Sequence, residues 1–251
     1  MIGKPKYKLE TIPVWDGVQS GSECFLCDLM KEAEQHGVDF YLGSSVMNPE
    51  TRVRVNEYGF CNSHFQMLSD AKKAQDLGLI CDTYLEESRK KFKKAFDGVL
   101  NVKPGKKTEK AIAELSAQFT NRESGCLICT QMKSRLDRYV YTIIQLWNTD
   151  PKFKEAVDES KGFCLHHYNE LITTAPSVLN AKDANAFVKS ITELELRNLD
   201  RIAADNLWLT QKYKSANSNK PWNGCEDAHH RAVDKMVGKH RVLDPIAKIK
   251  L

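Results

Sequence analysis

Apolar positions recur at steps of three and four along most of this chain, the period of helices with one buried face. The clearest stripe is Ile128, Met132, Leu136, Tyr139, Ile143 and Trp147, which predicts one helix of about twenty residues. Asp150-Pro151 then predicts a short helix, with Asp150 as N-cap and Pro151 at the first helical position. A third helix is expected from Cys164 to near Thr174, where Pro176 limits its continuation. A long helix follows from near Asp183 to Tyr213, with Phe187, Val188, Ile191, Leu194, Leu199, Ile202 and Ala203 facing inward. Upstream the pattern is less regular. Gly37 and Gly43 are expected to break or kink the first helix, and a last helix runs from near Leu79 to Phe96. No alternating run is long enough to make a sheet, and Val53 to Val55 is too short to count. The pattern is that of an all-α protein.

The chain also repeats itself. Cys24-Phe25-Leu26-Cys27 recurs as Cys126-Leu127-Ile128-Cys129, an offset of 102 residues, and Gly59-Phe60-Cys61-Asn62-Ser63-His64 recurs as Gly162-Phe163-Cys164-Leu165-His166-His167, an offset of 103. Asn48-Pro49 and Asp150-Pro151 lie between the paired motifs in the same order. These landmarks define two tandem pseudo-equivalent helical units, residues 20–97 and 122–213. An N-terminal strap (1–19), a basic linker with a short helix (98–121) and a C-terminal segment (214–251) complete the organisation.

Each unit carries Cys-x2-Cys, then 33 or 34 residues, then Cys-x2-His. Three thiolates and one imidazole are a full tetrahedral set for zinc. A two-residue spacing in the first turn of a helix lets two side chains converge on one ion. Gly59 or Gly162 precedes one motif and Ser22 or Ser124 the other, which places both at helix N-termini. There the free amides and the macrodipole favour thiolate over thiol. Three thiolates around a divalent cation leave a net charge of about −1, which such helix ends stabilise. Four ligands per unit favour one ion per repeat: Cys24, Cys27, Cys61 and His64 at one site, Cys126, Cys129, Cys164 and His167 at the other. The alternative pairs the motifs across the repeats, if the two helix ends of one repeat cannot meet. His166 is out of register with His64 and is expected to face away or to support the ligands from behind. Cys81, beside Leu79 and Ile80 and without a counterpart in the second unit, reads as core. Cys225, His229 and His230 could form a third site, although surface histidines are the plainer reading. His36 and His240 are expected to face solvent.

Charge and composition narrow the function. The 251 residues carry a formal net charge of +4, too mild to imply nucleic-acid binding. The stretch from Arg89 to Lys110 holds nine Lys or Arg, but no interleaved aromatic ladder supports nucleic-acid contact, and a solvated linker is the economical reading. No apolar stretch approaches membrane-spanning length, and the N-terminus lacks a signal-peptide core. Eight Cys in a chain with those features indicate metal or redox chemistry in the cytoplasm rather than structural disulfides.

The combination of Cys-x2-Cys, a helix, an Asn/Asp-Pro step and Gly-Phe-Cys-x2-His resembles a family of bacterial proteins of unknown function, in a doubled version common in anaerobic Gram-positive bacteria. Ile12-Pro13-Val14 and Pro221-Trp222 flank the two units in the same way. The resemblance implies a cytoplasmic bacterial protein with a shared metal site and supplies no activity. The leading expectation is a cytoplasmic binding or regulatory protein with two structural zinc ions and an unidentified protein or small-molecule partner. A redox protein is the first alternative, with an iron–sulfur cluster on Cys3His ligands or with Cys24/Cys27 and Cys126/Cys129 cycling as dithiols. A metalloenzyme is the second, its site in the cleft between the repeats with Glu226, Asp227, His229 and His230 of the C-terminal segment supplying acid–base groups.

Overall fold

The stripe from Ile128 to Trp147 becomes a single 23-residue helix, α7 (Leu127–Thr149), whose six stripe residues are all buried. It belongs to a computed structural model that describes residues 10–239. Among the described residues the fold is all-α: eleven α-helices, two short 3-10 turns and no strand. None of these helices is long and apolar enough to cross a membrane. Residues 1–9 of the expected strap and residues 240–251, His240 included, lie outside the described residues.

The helices follow one plan twice. α1 (Thr11–Gln19) leads in. α2 (Phe25–Tyr41) starts directly after Cys24, as α7 starts directly after Cys126. α3 (Pro49–Tyr58) and α8 (Pro151–Glu159) both begin with proline at the first position. Each is capped by the preceding side chain: Asn48 accepts from the amides of Glu50 and Thr51, Asp150 from those of Lys152 and Phe153. α4 (Asn62–Asp70) and α9 (Leu165–Val178) have Cys61 and Cys164 as their N-caps. α5 (Ala74–Leu100) and α10 (Ala181–Lys212) are the long closing helices. α6 (Lys106–Glu123) lies between the repeats, and α11 (Ala228–Val237) follows the second.

Several boundaries differ from the sequence pattern. Gly37 does not break α2; Ile128 Cγ2 lies 3.2 Å from where its Cβ would be, so the glycine admits a close neighbour rather than a kink. α2 ends instead at Tyr41, two residues before Gly43. α9 continues through Pro176 to Val178, because a proline in the last turn sacrifices only one hydrogen bond near an end already short of them. α5 begins five residues earlier than the pattern suggests, and the short helix expected beside the basic linker is the 18-residue α6, which fills most of that segment. Ala203 on α10 is exposed, whereas Phe187, Ile191, Leu194 and Ile202 are buried as expected.

By contacts the chain groups as residues 1–32 with 134–251, here the outer unit, and residues 33–133, the middle unit. These units do not coincide with the repeats at 20–97 and 122–213. Their boundaries fall inside α2 and α7, so each of these helices begins in one unit and ends in the other. The outer unit packs Leu136, Ile143, Phe153, Phe163, Leu171 and Phe187 in its core. Edge-on contacts join Trp15 to Phe153 and Trp147 to Phe187, both at 5.1 Å between ring centres. The middle unit packs Val38, Leu42, Phe60, Leu68, Ile80 and Ile128. Each fully buried Phe or Leu contributes about 1.5–3 kcal/mol relative to exposure.

The paired caps make the plan testable. Asn48→Ala and Asp150→Ala should each lower unfolding free energy by about 1 kcal/mol, read from denaturant midpoints, because each removes the same two amide contacts from the start of a matched helix.

Candidate metal centres

The residues that start α2, α4, α7 and α9 converge in two groups. The first is Cys24, Cys27, Cys164 and His167; the second is Cys61, His64, Cys126 and Cys129. Within each group all four donor atoms lie within 4.8 Å of one another. All eight expected ligands are therefore brought together, but the grouping of one ion per repeat is overturned. The Cys-x2-Cys of one repeat meets the Cys-x2-His of the other. The cause lies in α2 and α7. α2 starts beside Cys24 among the residues of the outer unit and ends among those of the middle unit, to which the following Cys61 motif belongs. α7 makes the return passage.

In the outer unit His167 Nδ1 lies 3.3 Å from Cys24 Sγ, 3.4 Å from Cys27 Sγ and 3.4 Å from Cys164 Sγ, and Cys27 and Cys164 are 3.7 Å apart. The whole group is buried. Cys164 caps α9, its sulfur accepting from the His167 amide at 3.5 Å. Hydrogen bonds from Cys24 and Cys27, with amide contacts from His167 and His166, hold the Cys164 thiol down to about 3 against the opposing effect of burial. Burial, followed by contacts with Cys164 and Cys27, pushes the Cys24 thiol up.

In the middle unit His64 Nδ1 lies 3.2 Å from Cys61 Sγ, 3.2 Å from Cys126 Sγ and 3.4 Å from Cys129 Sγ, and Cys61 and Cys129 are 3.8 Å apart. Hydrogen bonds from Cys126 and Cys129 lower the Cys61 thiol, while bonds to Cys126 and Cys61 raise Cys129. Burial alone would lower the His64 imidazole, but Cys126, Cys61 and Glu34 outweigh it and raise it to about 11. A cation arriving there would have to displace such protons, which would link ion binding to proton release.

The two centres differ in what stands behind the histidine. His64 Nε2 lies 3.0 Å from Glu34 Oε1, a residue of α2 that is itself buried. Once an ion takes the place of the Nδ1 proton, this carboxylate would keep the remaining proton on Nε2 and hold the ring in place, the arrangement that orients metal-binding histidines. At the repeat offset of 102 residues Glu34 corresponds to Leu136, which offers no carboxylate. His166 joins neither donor group; its ring lies 5.3 Å from that of His167, and its buried Nε2 has no hydrogen-bond partner among the described residues.

Unrelated elements brace the Gly-Phe-Cys turn in the two centres. In the outer unit the fully buried Lys235 of α11 donates to the carbonyls of Glu23 (3.1 Å), Lys161 (2.7 Å) and Phe163 (2.8 Å). Its Nζ also lies 3.6 Å from Glu195, whose other oxygen accepts from the Phe163 amide. One ammonium thus ties the residue before Cys24 to the residue before Cys164. In the middle unit Arg122 of α6 reaches the Phe60 carbonyl at 3.2 Å and the Tyr84 hydroxyl at 2.5 Å, and the Leu127 amide donates to Gly59 O at 3.1 Å. Gly59 and Gly162 both adopt positive φ, at 62° and 75°. A side chain there would also meet Tyr84 OH at 2.7 Å or Glu195 Oε2 at 2.9 Å, so the glycine of the motif is required twice over.

Sequence spacing did not reveal Glu34, Lys235, Glu195 or Arg122. Glu34 carries a faint signal, seven residues after Cys27 on one helix face, but that face leads to the other centre. The possible third site does not form. Cys225 is buried among Leu209, Ala228, Trp208 and Trp222, and it shares no donor group with His229 or His230 among the described residues. Those two histidines stack on each other at 4.0 Å on the exposed face of α11. Asp227 pairs with Arg231 at 2.8 Å rather than with either histidine. Cys81, expected in the core, is only half-buried on α5, and His36 is exposed as expected.

Residues 5–242 match the model of a family described as a family of unknown function, DUF6062. No curated protein and no solved structure matches the chain.

Two substitutions test this architecture. Glu34→Gln should weaken ion binding at the middle centre by about 10–100-fold and leave the outer centre unchanged, measured by competitive titration against a chromogenic chelator. Lys235→Met leaves three carbonyls of the outer centre without their donor and should cost about 3 kcal/mol of unfolding free energy, read from chemical denaturation.

Proposed function

We propose that this chain, which belongs to the DUF6062 family, is a zinc protein whose two Cys3His centres are closed and structural and whose role is that of a cytoplasmic binding or regulatory module. The observation that carries the reading is the donor geometry. Bonds of about 2.3 Å to sulfur and 2.0 Å to nitrogen put tetrahedral donors roughly 3.8 Å apart for two sulfurs and 3.5 Å for sulfur and nitrogen. The pairs Cys27–Cys164 and Cys61–Cys129 are 3.7 and 3.8 Å apart, the sulfur–nitrogen pairs 3.2–3.4 Å, and all donor atoms of a group lie within 4.8 Å of one another. Such spacing suits one ion within each set. An iron–sulfur cluster distributes its protein ligands over several irons and calls for donors spread more widely.

Closure supports a structural role. A hydrolytic zinc keeps an open position for water, whereas protein atoms here supply all four. The ions would join segments 137–143 and 62–68 residues apart in sequence, constraining the unfolded chain as cross-links over long loops do. Eight unpaired cysteines suit a reducing compartment. A cleft of about 600 Å3 in the middle unit, lined by Tyr84, Lys91, Phe92, Asn121, Arg122 and Cys126 among others, has the size of a small-molecule site and supports a binding role.

Protein purified without air or chelator should contain two zinc ions per chain and show no visible absorption. Cobalt substitution should give the intense bands of tetrahedral thiolate coordination. Iron with acid-labile sulfide and a brown colour would overturn the zinc reading and make redox function the conclusion.

A further inference from the structure

The two centres share their donor set but not their access. In the outer unit Cys24, Cys27, Cys164 and His167 are 1%, 1%, 0% and 3% exposed. The turn after α11 closes over them. Gly238, at φ 78°, brings its backbone so near that a Cβ there would sit 3.1 Å from Cys164 Sγ and 3.4 Å from Cys27 Sγ. The next amide, of Lys239, donates to Cys27 Sγ at 3.4 Å, and the Lys239 ammonium lies 3.3 Å from Asp28. A thiolate that accepts an amide hydrogen bond and is covered by backbone is a poorer nucleophile and is shielded from reagents. In the middle unit Cys61 and Cys129 are only half-buried, and the 600 Å3 cleft opens beside the third sulfur, Cys126.

We propose that Cys61 and Cys129 form an oxidant-reactive site: a peroxide attacks the middle centre, joins these two sulfurs and releases its ion, while the outer centre keeps its own. The inference rests on the zinc reading above. The Cys61 thiolate attacks one peroxide oxygen, a sulfur–oxygen bond forms, the oxygen–oxygen bond breaks, and the departing hydroxide takes a proton to become water. The Cys129 thiolate, 3.8 Å away, then attacks the sulfenic sulfur. The sulfur–sulfur bond forms, and a second hydroxide leaves as water after protonation. The thiolate pair loses two electrons and the peroxide gains them. His64 and Cys126 alone cannot hold the ion, which departs. Sulfur proximity does not distinguish the centres, since Cys27 and Cys164 are equally near at 3.7 Å. The distinction lies in exposure and in the Gly238–Lys239 cover.

The test uses the full-length wild-type protein loaded with zinc and treated with hydrogen peroxide in the presence of a chromogenic zinc indicator, with disulfides mapped by mass spectrometry. One ion should appear more than about tenfold faster than the second, together with a peptide linking Cys61 to Cys129, while Cys24, Cys27 and Cys164 remain alkylatable only after denaturation. Release of both ions at one rate, early oxidation at Cys24, Cys27 or Cys164, or equally fast loss to the indicator without peroxide would overturn the proposal. A protein that holds no zinc at either centre before treatment would instead fail the zinc reading itself.

Discussion

Two pairs of helix N-termini converge here, and the convergence of their Cys and His side chains into two groups constrains the rest of the fold. Each centre needs the N-termini of two helices pointed at one place: α2 with α9 in the outer unit, α7 with α4 in the middle unit. The amides at these ends favour the negative charge of thiolates, and the charge of a cation bound there would offset the mutual repulsion of the sulfurs. Because the converging segments are so far apart in sequence, the long helices α2 and α7 must each leave one unit and finish in the other. Repeats that look self-contained in sequence are therefore interlocked, each lending its Cys-x2-Cys to one unit and its Cys-x2-His to the other.

The interlocked arrangement leaves the repeats free to diverge around a shared centre. The Phe60 and Phe163 carbonyls hold matching places in the motif, and each receives a cation, but from Arg122 on α6 in one case and from Lys235 on α11 in the other. One histidine is backed by Glu34, whereas the position matching that glutamate in the other repeat is Leu136. One sulfur cluster is covered by the turn at Gly238, and the other is half open beside a cleft. The donor set constrains the motif; the supporting residues vary with whatever element packs nearby.

How far the sequence revealed this follows from the range of each interaction. Which Cys and His gather was legible because the two residues of each motif, such as Cys24 and Cys27, sit within one helical turn of each other, and their spacing is local chemistry. The caps Asn48 and Asp150, the buried stripe of α7 and the helical class were legible for the same reason. Pairing was not. It depends on where a 17-residue helix delivers the chain, and the expectation of one ion per repeat reversed the true partners. Lys235 was invisible because a buried lysine on an otherwise polar helix looks like any surface lysine until its three carbonyl partners are assembled. Gly37, expected to kink α2, instead accommodates Ile128, a neighbour 91 positions away.

Cross-pairing of the motifs underlies both centres, and zinc stoichiometry in paired cysteine variants tests it directly. Cys61→Ser combined with Cys126→Ser removes two donors from one centre and should leave one zinc per chain; Cys61→Ser combined with Cys24→Ser damages both centres and should leave none. One zinc in the Cys61/Cys24 variant and none in the Cys61/Cys126 variant would show that each repeat holds its own ion and would contradict the fold described here.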